Sequence, residues 1–133
     1  MDIVTLQEQG RVPVTVFQVK GRINLGNAEQ LQTQAQEAFE AGTRNLLIDL
    51  TEVPSMTSAG LRAIIHIYHL LGGGPSRESG EAIRQAPASG SLKSPHLKLL
   101  NPAPHVRRVL QIAGFGMFVE IYENMQDAIA SFG

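Results

Sequence analysis

The feature that most constrains this chain is the run Leu46-Leu47-Ile48-Asp49-Leu50, set between two stretches of helical periodicity. A short, nearly continuous apolar run has no solvent face. It reads as a strand covered on both sides, the kind found in the middle of a parallel sheet. Parallel neighbours need crossover connections, and the flanking segments supply them. Before the run, Ala28, Leu31, Ala35, Ala38 and Phe39 share one helical face, with Asn27 and Gln30 spaced as a capping box and Gly42 as the stop. After it, Leu61, Ile64, Ile65, Tyr68 and Leu71 form a second stripe, with Thr57 or Ser58 as the natural cap.

The rest of the chain extends this alternation. Ile3, Val4 and Leu6 form a first strand, and Val14 to Val19 a second that pairs with it as a hairpin across Gln9-Gly10-Arg11 and ends at Gly21. His96 to Leu100 reads as another strand. Pro102 and Pro104 open a helix facing inward with Val106, Val109, Leu110 and Ala113 and closed by Gly114. Met117 to Tyr122 reads as a last strand. A final helix, capped by Asn124, turns Met125, Ala128, Ile129 and Phe132 to one side. The order β-β-α-β-α-β-α-β-α predicts an α/β fold, a mixed sheet of four or five strands with about four helices.

Between Gly72 and Pro95 Gly, Ser and Pro dominate and large apolar residues almost vanish. This stretch is expected to be an exposed loop insert, with a short helical turn around Glu81 to Gln85.

Composition excludes several functions. The 133 residues suit one domain, the net charge is -1, and Arg107-Arg108 is the only adjacent basic pair, so no field draws nucleic acid. Cysteine is absent, which removes disulfides, thiolate metal sites and a thiol nucleophile and fits a reducing cytosol. Met1 to Thr5 lack the pattern of a signal peptide, and no apolar run approaches the ~20 residues of a membrane span, so a cytoplasmic protein without membrane insertion is expected.

Candidate chemistry narrows quickly. Met56-Thr57-Ser58-Ala59-Gly60 lacks the first glycine of a hydrolase elbow, and no spacing pairs Asp49 with His66 or His69 beside Ser58. His66 and His69 stand three apart without a helical carboxylate partner, so they are read as solvent-side residues, not metal ligands. Gly72-Gly73-Gly74 follows a helix and lacks a Lys-Ser/Thr, and Gly114-Phe115-Gly116 is isolated, so neither marks a nucleotide site. No catalytic residue, metal or cofactor is assigned. What remains is a hydroxyl at a helix start after a central strand. It is either a cap or a charge switch, because phosphorylation there adds ~1.5 to 2 negative charges that the helix end tolerates and a docked partner does not.

The run Asn45 to Arg62 resembles the core of the STAS domain family, named for sulfate transporters and anti-sigma-factor antagonists. Gly21-Arg22-Ile23-Asn24 with Asn27-Ala28, and Asn101 to Val106 leading to Ala113-Gly114-Phe115, resemble two further family segments. The likeness covers nearly the whole chain outside 72–95. It implies a single STAS domain over 1–133 that acts as an anti-sigma factor antagonist. Its unphosphorylated form would bind an anti-sigma factor that is itself a protein kinase and so release the sigma factor. The matching serine is Ser58, the implied phosphoacceptor, restored by a phosphatase. The implied partner-binding residues are Asn24, Asn27, Thr57, Ser58, Ala59, Gly60 and Leu61. Two positions depart from the family pattern, since Thr57 and Asn24 stand where aspartates are usual. The alternative is a STAS scaffold in a stress-sensing or lipid-transport complex, with Ser58 only a cap and the 72–95 loop carrying the contacts.

Overall fold

The computed structural model describes residues 1–71 and 94–132. A five-stranded sheet has the order β1-β2-β3-β4-β5, from β1 (Asp2–Gln9), β2 (Pro13–Lys20), β3 (Leu46–Glu52), β4 (Leu97–Leu100) and β5 (Glu120–Tyr122). β1 and β2 form the antiparallel hairpin, and every later pairing is parallel. The apolar run occupies the centre, as its composition requires: Ile48 lies opposite Phe17 of β2 and Leu99 of β4.

The parallel strands are joined by α1 (Ala28–Glu40), α2 (Ser58–Leu70) and α3 (Pro104–Ile112), and α4 (Met125–Ser131) follows β5. The core has two layers. Phe17, Val19, Leu46, Ile48 and Leu50 face α1, α2 and α3 on one side of the sheet. Val14, Val16, Leu47 and Leu100 are covered on the other side by Ala128 and Phe132 of α4 and its flank. Both faces of β2 and β3 are therefore buried, which is why Val14 to Val19 shows no polar alternation.

Helix ends follow local chemistry. Gly42, at φ +116°, closes α1 in a Schellman arrangement: its amide donates to Phe39 O at 3.0 Å and the Thr43 amide to Ala38 O at 2.9 Å. Asn124 Oδ1 caps α4 by accepting the Asp127 amide at 3.0 Å. Gly21 (φ +98°) and Gly114 (φ +76°) end β2 and α3 in the left-handed region, as read from sequence.

Several expectations are corrected. Met117 to Tyr122 is not one strand. A 3-10 turn spans Phe115–Met117, where the Met117 amide donates to Gly114 O at 3.1 Å, and only Glu120–Tyr122 pairs with β4. Ile65 is 39% exposed, while Ala63 and Ile67 complete the buried stripe of α2. Ala113, at the end of α3, is exposed. The expected exposed loop does not extend to Ser94, which is 1% exposed and whose Oγ accepts the His96 and Leu97 amides, each at 3.0 Å, to start β4. The glycine run at 72–74 and the expected turn at 81–85 lie outside the described residues.

Candidate functional site

In parallel α/β sheets the carboxyl ends of the strands gather the loops that carry function. Here the loop after β2 (residues 21–27) and the loop after β3 (residues 53–57) lie side by side there and are joined by backbone. Ile23 and Met56 form an isolated parallel bridge. The Ile23 amide donates to Ser55 O at 3.1 Å, the Thr57 amide to Ile23 O at 3.0 Å, and the Gly21 amide to Glu52 O at 3.0 Å. In effect β2 and β3 each continue past their regular ends, so the two loops form one braced platform and not two independent turns.

The first turn of α2 is pressed against this platform. A Cβ on Gly60 would collide with the Met56 side chain and stand 2.9 Å from Ile23 Cγ2. Gly60 is thus required for close approach, a packing demand rather than a conformational one. Ala59 is buried beside it and Leu61 is half-buried against the main core. Of the seven residues picked out in sequence, the structure brings Asn24, Asn27, Thr57 and Ser58 to the exposed or half-exposed edge. Ala59, Gly60 and Leu61 shape the ground behind them.

The two asparagines brace the first loop. The Asn24 amide donates to Asn27 Oδ1 at 2.9 Å, Asn27 Nδ2 donates to Arg22 O at 2.9 Å, and the Gly26 amide donates to Asn24 Oδ1 at 2.9 Å. This corrects the capping-box expectation. Asn27 sits at the N-cap of α1, but its side chain makes no bond into the helix and turns back to tie the loop. Thr57 is the cap of α2, with Oγ1 accepting the Ala59 amide at 3.3 Å. Ser58 is the first helical residue. It is exposed, and its hydroxyl makes no hydrogen bond with any other described residue.

The remaining candidates stand apart. Asp49 Oδ1 accepts the Thr51 amide at 3.0 Å and the Thr51 hydroxyl at 2.6 Å. His66 is exposed and eight residues along α2 from Ser58, about 12 Å of helix, so it does not stand beside the hydroxyl as a base. Among the described residues no group of three His, Cys, Asp or Glu is placed to hold a metal ion. No described helix is long and apolar enough to cross a membrane.

Two exposed features were missed in sequence. Leu25 is 79% exposed between Asn24 and Gly26, an apolar side chain on a loop that the Asn24 and Asn27 side chains tie to itself. The first turn of α2 carries no acidic residue, and Arg62 follows Ser58 by four positions on the same helix. The spacing of Arg62 was legible in the sequence; the exposure of Leu25 was not.

The family model for the STAS domain matches residues 4–74, which hold both loops and both helices of the platform. The chain belongs to the STAS domain family. As a STAS domain it is similar to BtrV of Bordetella bronchiseptica, a protein named for a proposed role as an anti-sigma factor antagonist. The two are 29% identical over 114 residues, 86% of this chain and 82% of BtrV. The STAS fold also aligns with the crystal structure of an anti-sigma factor antagonist from Mycobacterium paratuberculosis, at TM-score 0.68 and 22% identity over 98% of this chain and 93% of that one. It aligns with the Bacillus cell fate determinant SpoIIAA in its phosphorylated form at TM-score 0.58 and 20% identity, covering 95% of this chain and 96% of the other. At these identities the solved structures speak for the fold.

Proposed function

We propose that this chain, a single STAS domain, is a cytoplasmic anti-sigma factor antagonist. Its unphosphorylated form binds a cognate anti-sigma protein kinase through the edge carrying Asn24, Leu25, Asn27, Thr57 and Ser58, and this frees the sigma factor. Phosphorylation of Ser58 ends the binding, and a phosphatase restores it.

One observation carries this reading: capping is done by Thr57, so the Ser58 hydroxyl is exposed and without a hydrogen-bond partner among the described residues. A serine that capped the helix would have to abandon the cap to become phosphorylated. Ser58 can react without that loss. In the transfer, Ser58 Oγ bonds to the γ-phosphorus of kinase-bound ATP, the bond from that phosphorus to the β-phosphate oxygen breaks, and ADP leaves. The hydroxyl proton passes to a base of the kinase. The product places a dianion at a helix N-terminus, where the dipole and free amides favour it, so the switch costs the fold little. A partner surface seated on the same edge meets the full charge and bulk.

The neutral residues at 57 and 24 keep the hydrogen-bonding duties their positions need. Thr57 Oγ1 accepts the Ala59 amide and Asn24 Oδ1 accepts the Gly26 amide, each as a carboxylate would. The platform therefore stands without either aspartate.

The test is calorimetric binding to the kinase encoded in the same operon, by wild type, Ser58→Ala and Ser58→Asp, with phosphosite mapping after incubation with ATP. Binding by wild type and Ser58→Ala, its loss in Ser58→Asp, and phosphate on Ser58 alone are expected. Equal binding by all three overturns the switch and leaves a STAS scaffold.

A further inference from the structure

We infer that Arg62 is the intramolecular charge partner of phosphorylated Ser58, and that this pairing sets how firmly the phosphate is held in the off state. The inference rests on the reading of Ser58 as phosphoacceptor and deepens it.

Ser58 and Arg62 are both on α2, four residues apart and both exposed. Residues at that spacing share a helix face with Cβ atoms about 6 Å apart. Helical side chains lean toward the N-terminus, so the long Arg62 side chain extends over the turn that Ser58 begins. A guanidinium presents a fork that matches phosphate oxygens.

Arg62 is also unpaired among the described residues. Its neighbours at three and four positions along the helix are Ala59, Ser58, Ile65 and His66, none of them acidic. It forms no ion pair with any other described residue, whereas Lys20, Lys98 and Arg107 all pair with glutamates. The other charged groups on the adjoining elements are Arg22 in the first loop, Glu29, Glu37 and Glu40 on α1, and Asp49 and Glu52 on β3, the last paired with Lys20. Among the described residues neither this cation nor the hydroxyl one turn away has a side-chain partner in the unmodified fold. The cation acquires one when the hydroxyl gains a dianion.

The experiment installs phosphoserine at position 58 by genetic encoding, so no kinase is needed, and follows its second ionisation by phosphorus NMR at low salt. A free phosphoserine titrates near pH 6. In the wild-type background the value is expected below that, and Arg62→Gln is expected to raise it by about 0.3–0.6. Arg62→Lys should restore most of the shift, and 0.5 M salt should abolish it. The same Arg62→Gln protein should lose phosphate to a broad-specificity phosphatase at least twofold faster. An unchanged ionisation in Arg62→Gln overturns the pairing, as does a shift that follows Arg22→Gln instead. Failure of the kinase to modify Ser58 would overturn the proposed function and leave this result standing on its own.

Discussion

The Thr57 amide donates to the Ile23 carbonyl at 3.0 Å, and this bond ties the cap of α2 to the loop that precedes α1. Thr57 thus holds two elements together through its backbone while its side chain starts a helix. The residue after it is left with neither task. The edge that carries Ser58 is braced by what lies on either side of the serine, not by the serine itself.

Gly60→Ala tests the close approach. The added methyl meets Met56 and Ile23 Cγ2, and relieving both contacts means shifting the bridge between the loops. Overpacking typically costs about 1–3 kcal/mol and helix propensity returns about 1 kcal/mol, so a net loss of up to about 2 kcal/mol is expected in urea denaturation. A neutral or stabilising result would show that Met56 moves aside freely.

Thr57→Val removes the capping oxygen at nearly constant shape. A loss of about 1 kcal/mol is expected, with Thr57→Asp close to wild type because the acceptor is kept. Ser58→Ala should change stability by less than about 0.5 kcal/mol, since the hydroxyl has no partner among the described residues to lose. Thermal melts of the three variants side by side separate the two hydroxyls. Equal losses at 57 and 58 would refute the division of labour.

Most of the fold was legible because the core is two-sided. Leu46 to Leu50 could only be a central strand, and the stripes beginning at Ala28 and Leu61 could only cover it. The failures came where one residue type serves two geometries. Asn27 satisfies the capping pattern, yet its amide bonds backward to Arg22 and Asn24, a choice fixed by the path of the loop. Met117 to Val119 is apolar enough for a strand, but Gly114 and Gly116 let the chain turn first. At the site, the family motif pointed to Ser58, while the assignment of the cap to Thr57 needed coordinates. The platform bridge of Ile23 and Met56 joins residues 33 apart and leaves no local trace.

Tyr68 gives a prediction in the alkaline range. Burial raises its pKa above the ordinary value of 10.0, because desolvation penalises the charged phenolate. The folded value exceeds the unfolded one, so its contribution to stability is whole below about pH 10 and falls as pH rises through the folded value. Ultraviolet titration should show one of the two tyrosines ionising late. That phase should vanish in Tyr68→Phe. A late phase that survives the substitution would contradict the burial argument.

Lys98 is the strongest test of how α4 is held. It points from β4 into the second layer, is 4% exposed, and its Nζ donates to Ser131 O at 3.1 Å and Ser131 Oγ at 2.9 Å. The same ammonium lies 2.9 Å from Glu120 Oε1 and 4.9 Å from the centre of the Phe132 ring. A cation at the carboxyl end of a seven-residue helix satisfies a terminal carbonyl and opposes the dipole, and α4 is too short to persist without such a tether. Glu120 is 40% exposed, so water takes over part of its charge when Lys98 is lost. Lys98→Ala is therefore expected to cost about 2–3 kcal/mol, below the full penalty of a buried orphan charge. Lys98→Met keeps the stem over Phe132 and should cost about half as much. Hydrogen exchange should locate the damage in residues 125–131, with the amides of β3 protected as in wild type. Uniform loss of protection across the sheet would mean that α4 is part of the folding core and not a layer added to it.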